Sequence, residues 1–218
     1  NVSSRSKTID LKTTKEARMD AALDLTKGLG RVRDDPAQRA ALISLARATG
    51  YEHWKRNDNW LSDDASICSW FGVCCGAGNP FDKTCTVSGD VQWLDLGWNN
   101  LTGQLPVDDP NFSLPTLRYL FLFHNHLRAP LSTSLFGHGR FSGLVDLNMA
   151  HCHLTGSIPA SIAELSQLAS LDLRGNQLTG NVPEALGLLT KLKGLQLSSN
   201  RLVGVDDGFC DLQNSSNF

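Results

Sequence analysis

Three short stretches of this chain hold side chains that could do chemistry. His124-Asn125-His126 sets two imidazoles two residues apart and matches three letters of a nuclease motif. His151-Cys152-His153 offers three metal-binding atoms in a row. Four of the six cysteines, Cys68, Cys74, Cys75 and Cys85, fall within eighteen residues, which is the spacing of either a zinc site or a disulfide framework. Whether any of these acts chemically depends on the elements that hold them.

The two histidine strings sit in a recurring pattern. In LDLRGNQLTGNVP, residues 171 to 183, Leu171 and Leu173 alternate as in a strand with one buried face, and Asn176 lies between them and Leu178. A polar residue fixed among buried leucines serves main-chain groups that would otherwise stay unpaired. Asn200 follows Asn176 by 24 residues, and Cys152 precedes it by 24; Asn125 and Asn99 stand 27 and 26 residues further back in turn. Five units of the form LxxLxLxxNxL are present, and the first two carry small insertions. Each unit reads as one coil of a solenoid: a short strand, a bend and a looser return. Asn99, Asn125, Cys152, Asn176 and Asn200 then form an internal ladder. Cysteine fits one rung because it is small, tolerates burial and carries a weak S–H donor. Replacing a stacked leucine by alanine is expected to cost about 2 to 5 kcal/mol.

This placement removes the chemistry from the histidine strings. Asn125 is a ladder residue, and strand alternation turns Cys152 inward and splays His151 from His153. No Gly-x-Ser-x-Gly turn and no phosphate-cradling glycine loop occur. The expectation is an α/β solenoid without catalytic residues, cofactor or metal.

The units resemble the leucine-rich repeat family over about residues 90 to 205, and the Leu-Thr-Gly-x-Ile/Val/Leu-Pro tails at 101–106, 154–159 and 178–183 resemble its plant-type subclass. That subclass is seen in receptor-like kinase ectodomains and polygalacturonase-inhibiting proteins. The resemblance implies a short horseshoe of about five coils, with parallel strands on the concave face and a helical, disulfide-bonded N-terminal cap. The second repeat departs from it: LRAPLS, residues 127 to 132, lacks the Thr-Gly, so its return segment should differ.

WLSDDASICSWFGVCC, residues 60 to 75, is similar to the family's N-terminal cap pattern, with Trp60 and Trp70 sealing the first coil. The resemblance implies a Cys68–Cys75 bridge and leaves Cys74 for Cys85; the residues alone leave the other connectivities open. Each short loop so closed would contribute about 2 to 4 kcal/mol. Upstream, DPAQRAALISLARATG (35 to 50) reads as a helix, with Asp35 as N-cap, Pro36 first, Gln38 as the capping-box return, Gly50 as the stop and Leu42, Leu45 and Ala46 as its buried stripe. ATGYEHWKRNDNWLSD (48 to 63) resembles caps seen in algal and protist repeat proteins. The organisation is therefore an extension at 1–34 with one amphipathic helix from Thr13 to Lys27, a cap at 35–89, five repeats at 90–205, and an incomplete C-terminal cap or tail at 206–218 in which Cys210 has no evident partner.

The net charge of −2 argues against nucleic acid. No stretch of about 18 apolar residues is present to insert directly in a membrane. Four Asn-x-Ser/Thr sequons, at Asn1, Asn100, Asn111 and Asn214, accompany the cysteine cluster. Together they favour the secretory pathway, hence the cell surface or exterior, or an organelle lumen.

What remains is surface. The outward strand positions include Trp93, Asp95 and Trp98 in the first repeat, and Arg118, Tyr119, Phe121, Phe123 and His124 in the second. Asp146 and His151 follow in the third and Arg174 in the fourth, while the fifth gives Lys193, Gly194, Gln196, Ser198 and Ser199. Aromatics crowd the first two strands, and clustered exposed aromatics are the usual anchors of interfaces. Two readings explain them: a partner binds them, or another part of the chain covers them. Five strands about 4.8 Å apart give a face of roughly 20 Å, which suits a peptide, a short glycan or a flat protein edge. The expected function is a non-catalytic interaction module of a secreted or membrane-displayed protein, binding a protein or peptide through this aromatic half. The alternatives are a structural subunit of a larger extracellular or organellar assembly, or an inhibitor of a wall-degrading hydrolase.

Overall fold

A computed structural model describes residues 34–76, 85–86 and 89–206. The expected Thr13–Lys27 helix, the sequons at Asn1 and Asn214, and Cys210 lie outside the described residues.

Among the described residues the first element is the cap helix α1 (Pro36–Ala48). Its start is set by Asp35, whose carboxylate accepts from the main-chain N–H groups of Ala37 at 2.8 Å and Gln38 at 3.0 Å. Gly50, at φ +67°, turns the chain away beyond the helix. Gln38 does not complete a capping box. Its amide donates to Asp90 Oδ1 at 2.8 Å and accepts from Val91 N–H, because α1 lies against the start of the first repeat and an unpaired strand N–H there is the stronger demand. Below the helix Trp54, Trp60 and Trp70 pack ring on ring, with centroids 4.9 Å apart at each step. Cys68 is bridged to Cys75, and Cys74 to Cys85.

The cap ends in strand β1 (Val73–Cys75), which pairs antiparallel with β2 (Val91–Asp95). The next strands are β3 (Tyr119–Phe121), β4 (Asp146–Asn148), β5 (Ser170–Asp172) and, after an interval, β7 (Gly194–Gln196). They form one sheet in the order β1-β2-β3-β4-β5-β7, parallel from β2 onward and in strict register. Leu94, Leu120, Leu147 and Leu171 stack directly and are buried. The returns close the coils. Those of the third and fourth repeats hold 3-10 turns at Ala160–Glu164 and Glu184–Leu188, and the second, without Thr-Gly, holds a short α-helix at Thr133–Phe136 instead. A two-stranded parallel ladder of β6 (Thr179–Val182) and β8 (Arg201–Val205) runs along the later returns.

The bend residues form a ladder from coil to coil. Asn125 donates to Leu96 O and Leu122 O at 2.8 and 2.7 Å, and accepts from the N–H groups of Asn99 and Leu101. Asn176 repeats the contacts with Met149 O, Leu173 O and the N–H groups of Cys152 and Leu154. Asn99 ties the ladder to the cap by exchanging bonds with Arg56 N–H and C=O, and Asn200 continues it to Leu173 O and Leu178 N–H. In the Cys152 rung the thiol donates to Leu122 O at 3.0 Å. The insertion of the first coil is held by the buried Arg140 guanidinium, which donates to the carbonyls of Val107, Asp109 and Phe112. It is tied to α1 by Ser44, which donates to the Asp109 carboxylate and, more than any other contact, lowers its pKa.

Candidate functional site

Parallel register places the outward side chains of the sheet in columns. One runs Trp93, Tyr119, Asp146, Ser170, Gly194; the next runs Asp95, Phe121, Asn148, Asp172, Gln196. The face therefore grades from aromatic at the cap end to small and polar at the far end.

Trp93 is not among its exposed anchors. It is 7 % exposed, because β1 flanks it on the cap side while Tyr119 stacks on it at 4.3 Å and Phe121 meets it edge-on at 5.2 Å. Trp93 is the floor of the patch. Tyr119, Phe121 and Phe123 form its half-buried surface. Phe123 lies over Gly97, where any Cβ would come within 2.6 Å of the ring. Trp98 is the one large aromatic here that is mostly in water, at 58 % exposure. Arg118 and Arg174 are exposed at the margins.

The acids are built into the scaffold. Asp95 accepts from Gly97 N–H and Asp172 from Arg174 N–H, each closing a two-residue turn at the end of its strand, and Asn148 does the same for Ala150. Burial raises the Asp95 carboxyl above its ordinary value against the opposing Gly97 bond. Burial also raises Asp146, with a hydrogen bond from Ser170 acting against it and the charge of Asp172 adding to it. Asp172 pairs with Arg174 at 3.2 Å.

The histidine strings occupy the bend. Trp98, His124 and His151 sit at φ +56°, +55° and +55°, the conformation that swings the following ladder residue inward. Their main-chain N–H groups prolong the sheet pairing to Phe123 O, Ala150 O and Arg174 O, so the rings stack: Trp98 on His124 at 3.7 Å and His124 on His151 at 4.4 Å. His151 covers Gly175 in the next coil. Beyond the ladder, His126 and His153 stack in a second column at 5.3 Å. The splaying of each His-x-His string is thus what makes two columns. The columns were not apparent as such in the sequence, although the 27-residue spacing of the two strings carried the signal. Among the described residues, no group of three or more His, Cys, Asp or Glu side chains is arranged to hold a metal ion, and no helix is long and apolar enough to cross a membrane.

Of the sequons, Asn100 is half-buried and its amide donates to His53 O. Asn111 lies exposed on the insertion of the first coil.

A capped solenoid with one strand per coil, an asparagine ladder and leucine stacks is a leucine-rich repeat domain. The Leucine Rich Repeat family profile matches residues 143–165 and 167–189. Receptor-like protein 50 of Arabidopsis thaliana is 37 % identical over 133 residues, covering 61 % of this chain. The BIR2 ectodomain of Arabidopsis thaliana has a TM-score of 0.65 at 25 % identity, over 79 % of this chain and 84 % of that one. A plant ice-binding protein has a TM-score of 0.64 at 27 % identity, over 78 % and 50 %. The chain is similar over these stretches to plant-type leucine-rich repeat ectodomains. It spans only 13 %, 9 % and 8 % of the length of the curated relatives it matches, Receptor-like protein 50, Phytosulfokine receptor 1 and Receptor-like protein 31.

Proposed function

We propose that this domain is a non-catalytic protein-interaction module of a secreted or membrane-displayed protein, taking a protein or peptide partner on the cap-end half of its concave face. The observation that carries the reading is the aromatic surface of Tyr119, Phe121 and Phe123 laid over buried Trp93, with exposed Trp98 beside it. A preformed apolar surface that needs little reordering gives affinity at low entropic cost. The relatives named as receptors agree with this reading. The same fold also serves an ice-binding protein, so the fold by itself selects no ligand and the face must.

Cross-linking mass spectrometry on protein purified gently from its native source tests it. Lys193 is exposed on the last strand's approach, and cross-links from a second protein to it are expected. They should vanish with Tyr119→Ala/Phe121→Ala, a thermal melt confirming that the doubly substituted protein is folded. Capture that survives this double substitution would overturn the reading.

A further inference from the structure

Five of the six histidines lie on the cap or at the bend, and four of them form the two stacked columns that flank the asparagine ladder. The basic groups around them are Lys55 and Arg56, whose N–H groups bond to Asn99 at the head of the ladder, Arg128, and Arg174 at the foot of the inner column. Among the described residues the acids on the same edge are fewer: Glu52 beside His53, Asp58 paired with Arg56, and Asp172 paired with Arg174. We propose that this edge is a second binding surface, one that gains charge by taking up protons and receives a carboxylate-rich segment of a protein partner.

The geometry explains why. Imidazoles take up protons between about pH 5 and 8. In the inner column His124 lies between Trp98 and His151, with Arg174 beyond. Burial first, and then the charges of His151 and Arg174, hold the His124 pKa below its ordinary value, so protonation of His124 is opposed by the groups stacked and charged around it. A carboxylate at the edge relieves the repulsion opposing the proton on His124. Anion binding and proton uptake then favour each other, as linkage requires. The ring faces of the inner column are occupied by stacking, so their edges are what a partner meets. An acidic peptide fits better than an apolar one.

The proposal rests on the reading of the domain as a protein-binding module but uses other side chains than Tyr119 and Phe121. The test is the affinity of the whole chain for fluorescent poly-L-aspartate at about pH 5.5 and pH 7.5 in low salt, where aspartate keeps its charge. Wild-type protein is expected to bind about ten-fold more tightly at the lower pH. The variant His124→Asn/His126→Gln/His151→Asn/His153→Asn should keep the affinity of pH 7.5 and lose the gain. Asparagine tolerates the positive φ of His124, His151 and His153, and a thermal melt checks folding. Arg174→Gln, a single change, should weaken binding at both pH values. Equal affinity at the two pH values, or a gain that survives the four substitutions, would overturn the proposal. Tighter binding of polygalacturonate than of poly-L-aspartate at matched charge would overturn the assignment to a protein partner. Because poly-L-aspartate needs no aromatic anchor, its binding should survive Tyr119→Ala/Phe121→Ala, which separates failure here from failure of the concave-face reading.

Discussion

The Phe123 ring lies across Gly97 so closely that a single methyl group on the glycine would come within 2.6 Å of it. Gly97 is thus the seat of the ring rather than a hinge. It does not have a positive φ, so alanine is sterically permitted in the backbone and the conflict falls on the ring. Gly97→Ala should lift Phe123 toward solvent, reduce partner capture and change unfolding free energy by about 1 kcal/mol or less. Partner titration and urea unfolding of the same protein measure both.

Trp93 and Trp98 are expected to separate stability from binding. Trp93→Ala removes a buried ring together with the support of Tyr119 and Phe121, and should cost about 3 to 5 kcal/mol. Trp98→Ala removes an exposed ring and should stay within about 1 kcal/mol. Equal losses in denaturant unfolding would mean that Trp98 is covered core in solution.

The ladder predicts opposite signs for two substitutions. Asn176→Ala strands two carbonyls and two N–H groups inside the solenoid, and should destabilise by about 3 kcal/mol or more. Cys152→Asn should instead stabilise, by about 1 kcal/mol, since an amide oxygen would accept from the Asn125 and Leu127 N–H groups as Asn176 does for Cys152 and Leu154. Midpoints of urea unfolding decide both.

Burial pushes the Cys152 thiol up to about 12, against a weaker opposing bond from the Asn125 main chain. A thiol raised in the folded state binds its proton more firmly folded than unfolded. Its contribution is therefore complete below the ordinary thiol value of 9.0 and is lost as pH rises toward about 12. In the native protein Cys152, followed by peptide mapping, should resist iodoacetamide at about pH 8.5 and react once unfolded, and Cys152→Ala should flatten the alkaline decline in Tm. Rapid alkylation of Cys152 in native protein would refute this.

Much of this could be read from the chain because a solenoid is nearly one-dimensional: each coil contacts its neighbours, so the 24-residue period gives inward leucines and ladder rungs alike, Cys152 included. The N-cap of α1 was legible for the same local reason. Local capping patterns misplace Gln38 because its partners, Asp90 and Val91, are more than fifty residues away in sequence. Alternation places Trp93 on the outward side of its strand. Its burial comes from the antiparallel strand β1 and from ring packing across coils, neither of which periodicity encodes. The stacked histidines needed the positive φ at the residue before each rung, visible only once the bend is built.

The Cys152 rung has a consequence for how the domain comes apart. A ladder held rung by rung is as cohesive as its poorest joint, and here one sulfur stands where the other rungs have both an oxygen and an NH2 group. The solenoid accordingly has a seam. On one side lie the cap and the first two coils, fastened by two disulfides and by Arg140; on the other lie the coils carried by Asn176 and Asn200. The two blocks should open as separate cooperative units, with the Asn125 and Leu127 amides, which face the seam, exchanging their hydrogens before those of Asn99 and Leu101.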